Sequence, residues 1–181
     1  MSSTLEIHPS AAAAAPIRLS RVPAVVDDVT VRLVAGVVVA VGATALLTQQ
    51  WWLYALLFID FALRSAVGPR WSPVARIAAA VRPLVPAAPR STAFAPKRFA
   101  AGIGAAMTAV ITGLWVAHLA TGAEAPLVAA TALAVVMIAL PALEAALGFC
   151  VGCVLFAGLI RVGLIPADVC VDCAPSAKRR G

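Results

Sequence analysis

Charge is scarce in this sequence. Only 12% of its 181 residues are charged and 62% are hydrophobic, against roughly 25% and 45–50% in soluble domains. A water-soluble fold is excluded on that ground, because a mean hydropathy of +0.99 leaves more apolar surface than one core of this size can hide. Acidic residues are scarcer than basic ones, eight against fourteen. In a soluble chain that excess would point to nucleic acid, but here the placement of the charges decides their meaning. There are two histidines, His8 and His118, far apart, and neither reads as a ligand; His118 is expected as a polar residue near a membrane interface. No phosphate-binding loop, dinucleotide fingerprint, HExxH or serine elbow occurs. Chemistry therefore falls to four cysteines and a few charges inside apolar sequence.

The long apolar runs predict an all-α membrane protein with four spans arranged as two hairpins. Residues 1–28 are polar and alanine-rich, with Pro9, Pro16 and Pro23, and read as a mobile tail whose apolar block is too short for a signal peptide. The membrane domain is read over 29–160, with spans at about 29–48, 51–67, 99–120 and 126–147. Gln49-Gln50-Trp51-Trp52 makes the first turn, with both indoles and Tyr54 expected at headgroup level. Gly68-Pro69 ends the second span. Between the hairpins, residues 69–98 form a basic, proline-rich loop. Its segment Val74–Val81 has the makings of a short interfacial helix, with Arg76 and Arg82 on lipid phosphates. Residues 161–181 form a second, cysteine-containing tail.

Every Lys and Arg of the chain falls on one side of this four-span plan, and the two opposite turns have none. The positive-inside rule then puts both termini and the central loop in the cytoplasm of a bacterial plasma membrane. Anionic lipid headgroups are the expected partner of the loop, and nucleic acid is not. A weak repeat supports the plan. Arg32-Leu33-Val34-Ala35-Gly36 opens the first hairpin as Arg98-Phe99-Ala100-Ala101-Gly102 opens the second. Ala62-Leu63-Arg64-Ser65-Ala66-Val67-Gly68 closes the first as Ala142-Leu143-Glu144-Ala145-Ala146-Leu147-Gly148 closes the second. Two such hairpins would be related by an axis along the membrane normal.

The repeat also predicts where the fourth span stops. A straight helix from Glu124 to Arg161 would run about 55 Å, against a hydrocarbon core of about 30 Å. Gly148 matches Gly68, so the helix should break there, leaving Cys150-Val151-Gly152-Cys153 at the cytoplasmic interface and Val154–Ile165 as an interfacial helix. A strongly tilted continuous helix is the alternative. Gly148 with Gly152, and Ala101 with Ala105, are spaced for close helix contact.

Cys150-x-x-Cys153 and Cys170-x-x-Cys173, sixteen residues apart, fit two chemistries. One is a redox dithiol at Cys150 and Cys153, with Cys170 and Cys173 as a resolving pair. The other is a zinc site formed by all four thiolates. Inert, packed cysteines are the third reading. A separate cluster is expected from Asp60 and Arg64, one turn apart, with Glu144 at the repeat position of Arg64. It would either pin the bundle or serve a small carrier. On an unbroken helix Glu144 faces away from both cysteines.

Val67-Gly68-Pro69-Arg70, Ser72-Pro73, Val81-Arg82-Pro83, Pro96-Lys97-Arg98-Phe99-Ala100 and the hexapeptide Gly148-Phe149-Cys150-Val151-Gly152-Cys153 together resemble a bacterial, mainly actinobacterial, integral-membrane family, domain of unknown function 4395. The resemblance runs from about Val26 to Ile160, and the GFCxGC hexapeptide is its most specific part. It implies a small multi-helix membrane protein and carries no mechanism. A neighbourhood of thioredoxin-like or sulfur-transfer proteins, as the family resemblance implies, favours the thiol reading; Cys170 and Cys173 lie outside the resemblance. The expectation for function is a cytosol-facing dithiol exchanging electrons or sulfur with a thioredoxin-like or rhodanese-like partner, and its rivals are a zinc-stapled scaffold and a carrier.

Overall fold

The structure is a computed structural model that describes residues 25–165. The N-terminal tail up to residue 24, Cys170 and Cys173 lie outside the described residues. The chain forms β1 (Val25–Asp27), α1 (Asp28–Leu47) and α2 (Trp52–Ala66), then a 3-10 turn at Pro69–Trp71 and α3 (Pro73–Val81). A second 3-10 turn at Arg82–Leu84 leads to β2 (Ser91–Ala93), α4 (Phe94–Thr121), α5 (Glu124–Leu147) and α6 (Val151–Arg161). The fold is helical apart from the two short strands.

Local chemistry accounts for most boundaries. Asp27 caps α1 by accepting the Thr30 N–H at 3.2 Å, and Ser72 caps α3 by accepting the Ala75 N–H at 3.0 Å. Gly122 ends α4 at φ +66° and Gly148 ends α5 at φ +70°, a left-handed conformation that is cheap only without a Cβ. The predicted break at Gly148 is therefore present, and α6 starts afresh three residues later. α4 begins at Phe94 rather than near residue 99: Pro96 and Lys97 fall in its first turn, where proline costs no hydrogen bond. Trp51 and Tyr54 turn inward beside the first turn. Both are buried in the core, with the Tyr54 hydroxyl donating to the Gly42 carbonyl at 3.0 Å, and only Trp52 of the three stays exposed.

The repeat of the sequence becomes a repeat of structure. Units β1-α1-α2-α3 and β2-α4-α5-α6 follow one order, and the first two helices of each unit pack across to the other, α1 against α5 and α2 against α4. α3 lies on α1 as α6 lies on α4. The strands pair antiparallel with Val26 opposite Thr92, the register a two-fold relation requires. Arg32 of α1 donates to the carbonyls of Ala145 and Ala146 at the end of α5, at 3.0 and 2.8 Å. Arg98 of α4 donates to the repeat equivalents, the carbonyls of Ser65 and Ala66 at the end of α2. Each arginine covers carbonyls that a helix terminus leaves unsatisfied.

The pairing is not perfectly symmetric, because α4 and α5 are in close contact while α1 and α2 touch much less. The core runs through Val34, Val38, Leu57, Phe61, Ile111, Ala130 and Ala134. Small residues let the backbones approach: the position a Cβ would take on Gly104 lies 2.7 Å from the Phe61 ring. Outward, Val110, Val116, Leu119, Val128, Val135 and Val136 are exposed. Three helices, α1, α4 and α5, are long and apolar enough to cross a membrane; α2, with 15 residues, is shorter.

Candidate functional site

Apart from Glu124 at the start of α5, the charges of the described residues lie toward the end of the bundle where α1 and α4 begin and α2 and α5 end. Asp60 is buried, and its Oδ1 accepts the Ser72 hydroxyl at 2.6 Å and the Val74 N–H at 3.0 Å. Its other oxygen pairs with Arg64, one turn on. Asp60 thus ties α2 to the start of α3, which is why the first hairpin can carry a carboxylate inside apolar sequence. Glu144 does not join this pair. Its partner is Lys97, from the first turn of α4. The predicted cluster of Asp60, Arg64 and Glu144 is accordingly two separate ion pairs, although Arg64 and Glu144 line one cavity.

That cavity, of about 400 Å³, lies at the centre of the charged end. Val34, Val38, Met107, Met137 and Leu140 line it, together with Pro141, which cannot offer an N–H to the carbonyl of Met137. Arg64, Arg70, Arg76, Lys97, Asp27 and Glu144 supply its charges. Asp27 is held by Arg82 Nε at 2.6 Å and the Arg90 N–H at 3.1 Å. Desolvation pushes its carboxyl up, but those donors and Thr30 outweigh it and hold it well below the usual carboxylate range. Arg64 Nε is a buried donor with no hydrogen-bond partner.

Cys150 and Cys153 are joined as a disulfide with their Cα atoms 5.2 Å apart. Cys150 is the N-cap of α6, and its Sγ accepts the Cys153 N–H at 3.2 Å. The break at Gly148 turns this segment back over the bundle, so Cys150 and Glu144 share the cavity wall. A second cavity of about 340 Å³, bordered by both cysteines, Lys97, Asp28 and Phe149, opens beside the disulfide. Cys150 is 8% exposed, and Cys153 is half-buried. α6 is pinned against α4 at Gly152, whose absent Cβ would lie 2.5 Å from the Ala100 Cβ. Of the spaced small residues, Gly152 thus serves close packing, while Gly148 serves the turn.

The sequence profile of the family described as domain of unknown function (DUF4395) matches residues 26–161. The chain belongs to this family. The match begins in β1 and ends with α6, so the matched region of this chain spans both structural repeats and the Cys150–Cys153 pair and stops short of Cys170 and Cys173. No curated protein and no solved structure matches the chain.

Among the described residues no group of three or more His, Cys, Asp or Glu is placed to hold a metal ion; the four-thiolate zinc set includes Cys170 and Cys173, outside those residues. His118 sits at the turn between α4 and α5, with Nδ1 2.7 Å from the Ala123 carbonyl. Sequence reasoning missed Lys97, Arg70 and Arg76 as cavity residues because they fell in a stretch read as loop. Pro96 followed by an apolar run was the available signal that Lys97 opens a helix.

Proposed function

We propose that this DUF4395 protein is a four-span protein of the bacterial plasma membrane, with both termini cytoplasmic, that carries out thiol–disulfide exchange at Cys150 and Cys153 with a soluble thioredoxin-like partner. The orientation rests on the gathering of basic residues at one end of the bundle. The observation that carries the chemistry is the closed CxxC disulfide on the first turn of α6, with the Cys153 N–H directed at Cys150 Sγ. A helix N-terminus favours a thiolate, and a stabilised thiolate is a good leaving group.

In the exchange, a partner thiolate attacks Cys153 Sγ, the more accessible sulfur. The Cys150–Cys153 bond breaks and Cys150 leaves as a thiolate, its charge met by the α6 N-terminus. The partner's second thiol then attacks its own sulfur in the mixed disulfide and releases Cys153. The partner is oxidised to a disulfide, and this chain takes up two electrons and two protons. The reverse sequence reoxidises it. Phe149, Val154 and Leu155 are exposed around the pair and offer the apolar surface on which a soluble partner can dock.

The test is alkylation of the full chain equilibrated in dithiol buffers of stepped potential, alongside Cys150→Ser, Cys153→Ser and Cys170→Ser variants and metal analysis. The expected result is a two-electron transition between about −300 and −200 mV, the range of exchanging pairs, lost in Cys150→Ser and Cys153→Ser. Cys150→Ser should also trap a mixed disulfide with a thioredoxin-like protein through Cys153. About one zinc per chain, lost in both Cys150→Ser and Cys170→Ser, overturns the proposal in favour of a metal-stapled scaffold.

A further inference from the structure

The 400 Å³ cavity at the charged end is lined mostly by apolar side chains with several cations among them, and the thiol chemistry uses none of Arg64, Arg70 and Arg76. Its two carboxylates are already engaged, Asp27 by Arg82 and Glu144 by Lys97. Arg70 and Arg76 line it with no acidic partner among the described residues. Arg64 lines it too, its side chain 13% exposed, and its Nε is the one buried side-chain nitrogen or oxygen without a hydrogen bond among the described residues. A buried donor left unmade costs free energy unless something accepts from it. The Arg64 guanidinium stacks over the Phe61 ring at 4.8 Å, and with Arg70 and Arg76 it puts three guanidinium groups in the lining of one cavity, the side chain best suited to pair with a phosphate. Behind them Val34, Val38, Met107 and Met137 offer no polar group, so the occupant must continue as hydrocarbon. The volume falls in the range of small-molecule sites and admits a headgroup and the first part of a chain.

We infer that this cavity is a binding site for the phosphate headgroup and upper acyl chain of an anionic phospholipid, with Arg64, Arg70 and Arg76 as its phosphate ligands. This deepens the surface attraction expected of the basic loop into one discrete site inside the bundle. It is independent of the Cys150–Cys153 chemistry, and its failure would leave that proposal standing.

The experiment follows the thermal unfolding of the full-length protein in neutral detergent, titrated with phosphatidylglycerol, phosphatidylcholine or inorganic phosphate. Phosphatidylglycerol is expected to raise the midpoint saturably, and the other two are not. An Arg70→Gln/Arg76→Gln double variant should need at least about tenfold more phosphatidylglycerol for the same shift, as loss of charge-assisted hydrogen bonds implies. Arg64→Lys keeps an ion pair for Asp60 while removing the Nε donor, and should weaken the response severalfold. An Arg90→Gln/Arg161→Gln double variant removes the same charge away from the cavity and should respond like wild type. Equal stabilisation by phosphate alone or by phosphatidylcholine overturns the inference. So does an equal loss in the Arg90/Arg161 variant, which would make the effect one of general surface charge. If Arg64→Lys fails to fold, the Arg70/Arg76 variant decides alone.

Discussion

Asp27 accepts four hydrogen bonds, from the Thr30 N–H and hydroxyl, Arg82 Nε and the Arg90 N–H. Through them one carboxylate caps α1 and fixes the connection that follows α3. Arg82, once held, donates onward to the carbonyls of Val85 and Ala87 at 3.1 and 2.9 Å. Because these donors hold the folded carboxyl below its unfolded value of about 3.9, the stability they contribute is complete above that pH. It is lost as pH falls through the folded value. An Asp27→Asn variant keeps a capping side chain but has no charge to titrate. Between about pH 5 and 7 it should unfold at a lower temperature than wild type, and the gap should narrow as pH falls below about 4. A gap that is constant with pH would mean that the charge of Asp27 contributes nothing, whatever its hydrogen bonds do.

At the scale of the element, α6 is where sequence and packing meet most closely. Its Gly152 lies so near Ala100 that a methyl group has no room, the Ala100 Cα standing 2.9 Å from the missing Cβ. Gly158, two turns along the same helix, faces nothing within 4 Å. Gly152→Ala should therefore destabilise by about 1–3 kcal/mol as overpacking and loosen the Cys150–Cys153 turn from α4. Gly158→Ala should be neutral or stabilising by up to about 1 kcal/mol through helix propensity. Thermal unfolding of the two variants, read with the alkylation rate of Cys153 after reduction, checks both; equal effects would place α6 away from α4. The break that creates α6 was legible, because Gly148 stands where Gly68 stands in the first hairpin, and a helix cannot spend so many residues on one crossing. The three-residue strands were not, since Val25–Asp27 and Ser91–Ala93 are too short to show alternation and acquire meaning only opposite each other. Nor was the partner of Glu144: repeat arithmetic put it level with Arg64, but the first turn of α4 brings Lys97 closer.

For the whole molecule, the strand pair settles how the chain must travel. β2 lies against β1, just before α1 begins, so everything between Leu47 and Ser91 has to bring the chain back from the far end of α1 to its near end. α2 is the element that makes this return. Its 15 residues amount to about 22 Å of helix, short of a hydrocarbon core of about 30 Å. The proposed four-span topology therefore has the bilayer thin around α2, at modest cost, and Arg98 covers the carbonyls of Ser65 and Ala66 at the end of the helix. In that proposed topology, two repeats that pack α1 on α5 and α2 on α4 cross in the same sense. Single cysteines placed at Gln49, Ala87 and Ala123 in a chain with its four native cysteines replaced by serine, labelled with an impermeant maleimide in oriented vesicles, test this directly. Gln49 and Ala123 should label from the periplasmic side and Ala87 from the cytoplasmic side. Labelling of Gln49 and Ala87 from the same side would mean that α2 does not cross, and would take the four-span topology with it; labelling of all three with sides exchanged would keep the spans and reverse the orientation, moving Cys150 and Cys153 to the oxidising face and their partner with them.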